Sequence, residues 1–135
     1  MALSVTVPLE EEILKAMAPD REERFQDAAD AYAKVAPDAS HALHMPSHIY
    51  VAMGMWDQVI SSNIDSYQAS LNRMERKKLD NDARGYHAYH WLEYGYLQNG
   101  EVEAAEKMVW DMQKFMNEKP SARARVHMVF LKGTY

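Results

Sequence analysis

Apolar side chains recur at three- and four-residue steps along most of this chain, and residues that cap or break helices bound each run. Asp20 followed by Glu23 reads as a capping box, so a helix is predicted to begin near residue 21. Its apolar stripe is Phe25, Ala28, Ala29, Tyr32 and Val35, and Pro37 ends it. A second segment, about 41–53, closes at Gly54, with Pro46 marking a bend or a late start. From Trp56 the residues Val59, Ile60, Asn63, Ile64, Tyr67 and Leu71 keep helical spacing, and the run continues into the cations Arg73 to Lys78 before Asp80 to Asp82 break it. This is the longest predicted helix. Asp82 is the expected cap of a helix over 83–98, in which Tyr89, Leu92 and Tyr96 share a face and Asn99-Gly100 supplies the turn. Glu101 opens the next, striped by Val102, Ala105, Val109, Met112 and Met116. Beyond Pro120, residues 122–131 read as an apolar helix that nothing further covers.

Short connections at Gly54 and Gly100 force neighbouring helices to run antiparallel, so the expected class is all-α, built from stacked helical hairpins. Residues 20–135 form one hairpin domain in this reading, preceded by a partly helical segment, 1–19. Composition agrees: five glycines and five prolines are too few for the turns of an all-β chain, and 135 residues with 47% hydrophobic side chains support one core. A net charge of −5 disfavours nucleic acid as a partner. No uncharged apolar stretch approaches the length of a membrane span, and the first dozen residues lack the pattern of a secretory signal. With no cysteine there is no thiol nucleophile or disulfide, which fits a reducing, cytoplasmic setting.

Aligning the glycine turns exposes the same order twice, an aromatic helix followed by Gly54-Met55-Trp56 and another followed by Gly100-Glu101-Val102. Tyr89, Leu92, Glu93, Tyr96, Gly100, Val102 and Ala105 match the tetratricopeptide pattern, with Glu93 where that pattern has a small residue. Leu43, Pro46, Ser47, Tyr50, Gly54, Trp56 and Val59 repeat it more loosely, and Phe25, Ala28 and Tyr32 are similar to the second helix of an earlier unit. Over residues 21–118 the chain therefore resembles the tetratricopeptide family. The spacing departs from it, since Gly54 and Gly100 lie 46 residues apart where the family repeat is about 34. An extended helix near Arg73 absorbs the excess. The resemblance implies a short α-solenoid, part of a longer array, that binds a protein, peptide or small ligand in a concave groove rather than acting as an enzyme. The uncovered last helix is then expected to pack on further chain or on a second copy.

Five of the six histidines fall in two clusters, His41, His44 and His48 before the first glycine turn and His87 and His90 before the second. On a continuous helix the first three lie within about 60° of one another, and the later pair are neighbours one turn apart. The clusters are in register: His41 and His44 precede Gly54 by 13 and 10 residues, and His87 and His90 precede Gly100 by the same intervals. Tyr94 stands in the register of His48. The resemblance implies that these stripes face the groove, whose expected lining is His41, His44, His48, His87, His90, Trp91 and Tyr94.

Imidazoles so placed have three readings, the plainest being partly buried residues that only pack helices together. As groove-lining groups they exchange hydrogen bonds with a ligand, while Tyr86, Trp91 and Tyr94 supply apolar contact. Alternatively His44, His48 and His90 bind zinc or another divalent transition metal, with Glu93 or Asp38 as an added oxygen ligand and a water available for hydrolytic chemistry. The HxxHxxxH spacing lacks the glutamate of the zinc-protease helix, and no phosphate loop, nucleophile elbow or serine triad spacing is present. No residue is therefore assigned a catalytic role at this level.

Overall fold

Two left-handed glycines set the course of the chain. Gly54 has φ +68° and Gly100 has φ +80°, a region that costs a residue with a Cβ. Each is followed by the same pair of backbone bonds: Met55 N donates to Tyr50 O (2.9 Å) and Gly54 N to Val51 O, while Glu101 N donates to Tyr96 O (2.8 Å) and Gly100 N to Leu97 O. This is the Schellman closure, which satisfies the last carbonyls of a helix and turns the chain back. Lys78 makes the third such turn with φ 51° and no glycine, as Leu79 N reaches Met74 O.

The computed structural model describes residues 39–135 together with 23, 24, 27–29 and 31, and contains no strand among them. The elements are α1 (Ser40–His44), α2 (Pro46–Ala52), α3 (Trp56–Lys77), a 3₁₀ turn (Asn81–Ala83), α4 (Tyr86–Gln98), α5 (Val102–Glu118) and α6 (Ala122–Thr134). The all-α expectation holds, and no helix among the described residues is long and apolar enough to cross a membrane. Residues 1–19, Asp20, Phe25, Tyr32, Val35, Pro37 and Asp38 lie outside the described residues. Ala29 of the first expected stripe is buried against Tyr50 and Val59, whereas Ala28 is exposed.

Pro46 divides the second predicted helix, because it has no amide to continue the ladder and is instead the first residue of α2. Both short helices pack on α3, which in turn packs on α4. Serine makes the first contact close: Ser66 Oγ donates to Ser40 O (2.5 Å), and Ser66 is fully buried. α4 then packs on α5 and α6, and α5 on α6. The main core lies there, formed by Tyr86, Tyr89, Leu92, Met108, Met112, Ala124, Met128 and Leu131. The last helix thus buries one face, while Val126, Val129 and Phe130 on its other side are exposed.

Two local expectations are corrected. Ile64 is 43% exposed, because α3 presents Val59, Asn63, Ser66 and Ser70 as its buried face. Asp82 does not cap α4: Asp80 accepts from Asp82 N in the 3₁₀ turn, Gly85 stands at the N-cap of α4, and the Asp82 carboxylate accepts from Ser121 Oγ. Gly95 of α4 is a point of close approach to α3. A Cβ there would meet Ile60 Cγ1 at 3.1 Å and Val59 Cγ1 at 3.2 Å. Gly95→Ala is expected to lower stability by about 1–3 kcal/mol through overpacking, against a helix-propensity gain of about 1 kcal/mol. Urea denaturation midpoints decide the net sign, and an unchanged or raised midpoint would show that α3 yields freely.

Candidate metal centre

α1, α2 and α4 bring His44, His48 and His87 together, with one ring nitrogen of each within 4.8 Å of the others. The His44 ring stands edge-on to His48 (centroids 4.9 Å) and to His87 (4.5 Å). Trp91 walls the group, 4.3 Å from the His48 ring and 5.3 Å from that of His44. The two hairpins thus meet with an offset of three residues from the glycine register, His44 opposite His87 rather than opposite His90.

His44 is the anchor of the three. It is 2% exposed, and its Nδ1 lies 2.7 Å from Asn63 Oδ1. Asn63 is itself fixed, because its Nδ2 donates to Val59 O at 2.8 Å. An amide oxygen can only accept, so the His44 proton sits on Nδ1 and the lone pair on Nε2. That Nε2 is buried and has no hydrogen-bond partner among the described residues. Such an acceptor costs about 1–3 kcal/mol unless something satisfies it. A metal-bound histidine has this arrangement, with its second nitrogen donating to an oxygen that fixes tautomer and ring orientation.

Burial, reinforced by the charges that His87, His48 and His41 would carry, lowers the His44 pKa to about 4 in spite of the Asn63 bond. Burial also lowers that of His87, with further contributions from His48, His127 and His41. Both are therefore neutral near pH 7 and present lone pairs without proton loss. Ligand nitrogens of a tetrahedral zinc lie roughly 3.3 Å apart for bonds of 2.0–2.1 Å. Closing from the present separation takes small rotations, which exposed His48 and His87 can make while His44 stays seated.

Of the trio anticipated from spacing, His44 and His48 meet, but His90 is replaced by His87. His90 instead lies against the last helix: the Thr134 hydroxyl donates to Phe130 O (2.9 Å), so the 2.7 Å contact from His90 Nε2 is a donation to Thr134 Oγ1, and His90 is not among the imidazoles that meet. The His90 ring also stacks on Phe130, and burial lowers its pKa. His41 is exposed, 6.5 Å from the His44 ring, outside the ligand group. Tyr94 packs on Trp56 and, with His90, Trp91, Leu97, Gln98, Thr134 and Tyr135, lines a separate groove of about 530 Å³. Glu93 is not a member of the group: it is fully buried one turn from Tyr89 and Tyr96 of the main core, with no partner for either carboxylate oxygen among the described residues.

Spacing alone could not find Asn63, which stands among apolar positions of the α3 stripe. Its role predicts that Asn63→Leu weakens zinc binding by about 10–100-fold, the usual effect of removing the group behind a ligating histidine. Competition against a chromophoric chelator measures this, and unaltered affinity would detach Asn63 from the site. Compared with protein-family models, curated proteins and solved structures, the chain matches none.

Proposed function

We propose that this chain is a tetratricopeptide-like helical-hairpin module that binds a divalent transition metal, zinc foremost, through His44, His48 and His87. The observation carrying the reading is the meeting of three imidazoles, one of which, His44, is buried and held by Asn63 with its Nε2 unpartnered among the described residues. An all-imidazole set without thiolates suits zinc, copper or nickel, and three protein ligands leave a fourth position for water or a bound molecule, the pattern of open rather than purely structural zinc sites. The twice-repeated Schellman turn and the packing order of α2 to α6 support the hairpin-repeat part of the reading. A cysteine-free site is also suited to a reducing cytoplasm.

Calorimetric titration of the metal-free chain with Zn²⁺ tests this. One equivalent should bind, and Co²⁺ in its place should give the intense visible bands of a tetrahedral ion. A chain that takes up neither ion, or whose uptake ignores substitution of the three histidines, refutes the reading.

A second reading has its own observation. The groove lined by His90, Trp91 and Tyr94 is open and largely aromatic, which fits a peptide or small apolar ligand. Trp91 belongs to both features, so a molecule in the groove would touch the wall of the metal centre.

A further inference from the structure

His44 and His87 also border a polar cleft of about 250 Å³, lined with them by His41, Arg73, Arg84 and Arg123 among others. Its lining contains no acidic side chain, although the chain as a whole carries a net charge of −5. The arginines are not neutralised elsewhere. Arg84 donates to Asn81 Oδ1 and to the Tyr67 hydroxyl and lies over the Phe115 ring, all uncharged partners. Arg123 donates to the backbone oxygens of Asp82 and Arg84 and lies over Tyr86. Arg73 is exposed and makes no ion pair or hydrogen bond among the described residues.

The start of α4 opens on the same cleft. Gly85 N is taken by Ser70 Oγ and Tyr86 N by Arg84 O, but the amides of His87 and Ala88, both in the lining, have no acceptor and no side chain caps them. Unspent helix amides and guanidinium groups of one sign attract an anion. His44 and His87 belong to both the cleft and the triad, so an ion held by them would lie at the border of the cleft.

We infer that this cleft binds the phosphate group of a small phosphorylated molecule, one phosphate oxygen completing the coordination of the triad metal while Arg73 and the first amides of α4 hold the others. Three cations and no anion in the lining favour a dianion over a carboxylate. The volume admits a phosphate with a small organic remainder and is too narrow for a macromolecular surface. This deepens the metal reading and rests on it for the one coordination bond.

The test is a titration of inorganic phosphate into the full chain, first metal-free and then after one equivalent of zinc has been shown to bind, with acetate as the carboxylate control. Zinc should tighten phosphate binding, acetate should bind at least about tenfold more weakly, and in the cobalt form phosphate should shift the visible bands. Arg73→Ala should weaken phosphate by about 10–100-fold, the worth of one charge-assisted bond, and leave zinc uptake unchanged, since Arg73 touches none of the ligands. Zinc-loaded protein that ignores phosphate, or binds it equally without Arg73 or no better than acetate, overturns the inference while leaving the metal reading standing. Failure to bind zinc overturns the metal reading itself. In that event phosphate binding that still requires Arg73 retains the anion cleft, and its absence removes both.

Discussion

His48→Ala and His87→Ala are each expected to lower zinc affinity by on the order of 10²–10³-fold while leaving the stability of the metal-free protein within about 0.5 kcal/mol. The affinity loss follows from sharing the roughly 10–16 kcal/mol of a four-ligand zinc site among its ligands. The unchanged stability follows from the exposure of both residues and from their making no hydrogen bond among the described residues. His44→Ala should behave differently. It removes the same ligand energy and also strands Asn63 Oδ1 in a buried position, so the metal-free protein should lose a further 1–3 kcal/mol or so. Chelator competition for zinc, with urea denaturation of each metal-free variant, separates the two effects. If the exposed histidines can be removed without loss of zinc, the triad is a packing cluster and not a metal centre.

The second large effect concerns Glu93. Burial alone pushes its carboxyl pKa up to about 8, and neither oxygen has a partner, so near neutral pH the folded protein holds it protonated. The unfolded chain releases that proton at the ordinary carboxylate pKa. Between these values the folded state binds more protons than the unfolded one, so stability falls as pH rises from about 4.5 through 8 and then levels off. The full contribution is roughly 3–5 kcal/mol. His44 works on the other flank. Its folded pKa of about 4 lies below the ordinary 6.5, so the stability it allows is present above pH 6.5 and is lost as pH falls toward 4. Urea denaturation of the native chain and of Glu93→Gln at pH 5.5, 7 and 8.5 isolates the carboxyl, since every other titrating group is common to both. The native chain should lose stability relative to the variant at each step, and parallel curves would mean that Glu93 is ionised or solvated in the fold.

Glu93 also marks a place where sequence and fold pull apart. In the pattern it stands where a small residue is expected, and it is buried all the same. Helical position dictates which direction a side chain takes, whatever its polarity. The misfit is absorbed by protonation rather than by a change of backbone.

Helices, their order and their turns were legible from the chain alone, because helical periodicity, Gly54 and Gly100 act over a few residues and need no distant partner. The presence of histidines on two successive hairpins was also legible, but the equal intervals to the glycine turns did not give matching heights, since His44 meets His87 and not His90. Which imidazoles meet was decided only in three dimensions. α4 lies close on α3 at Gly95, where a Cβ would meet Val59 and Ile60, and His90 bonds to Thr134, 44 residues away, neither of which spacing along one helix reveals. Local spacing fixes directions along one helix, whereas the registry between helices is set by side-chain volumes and hydrogen bonds contributed from every element that packs there.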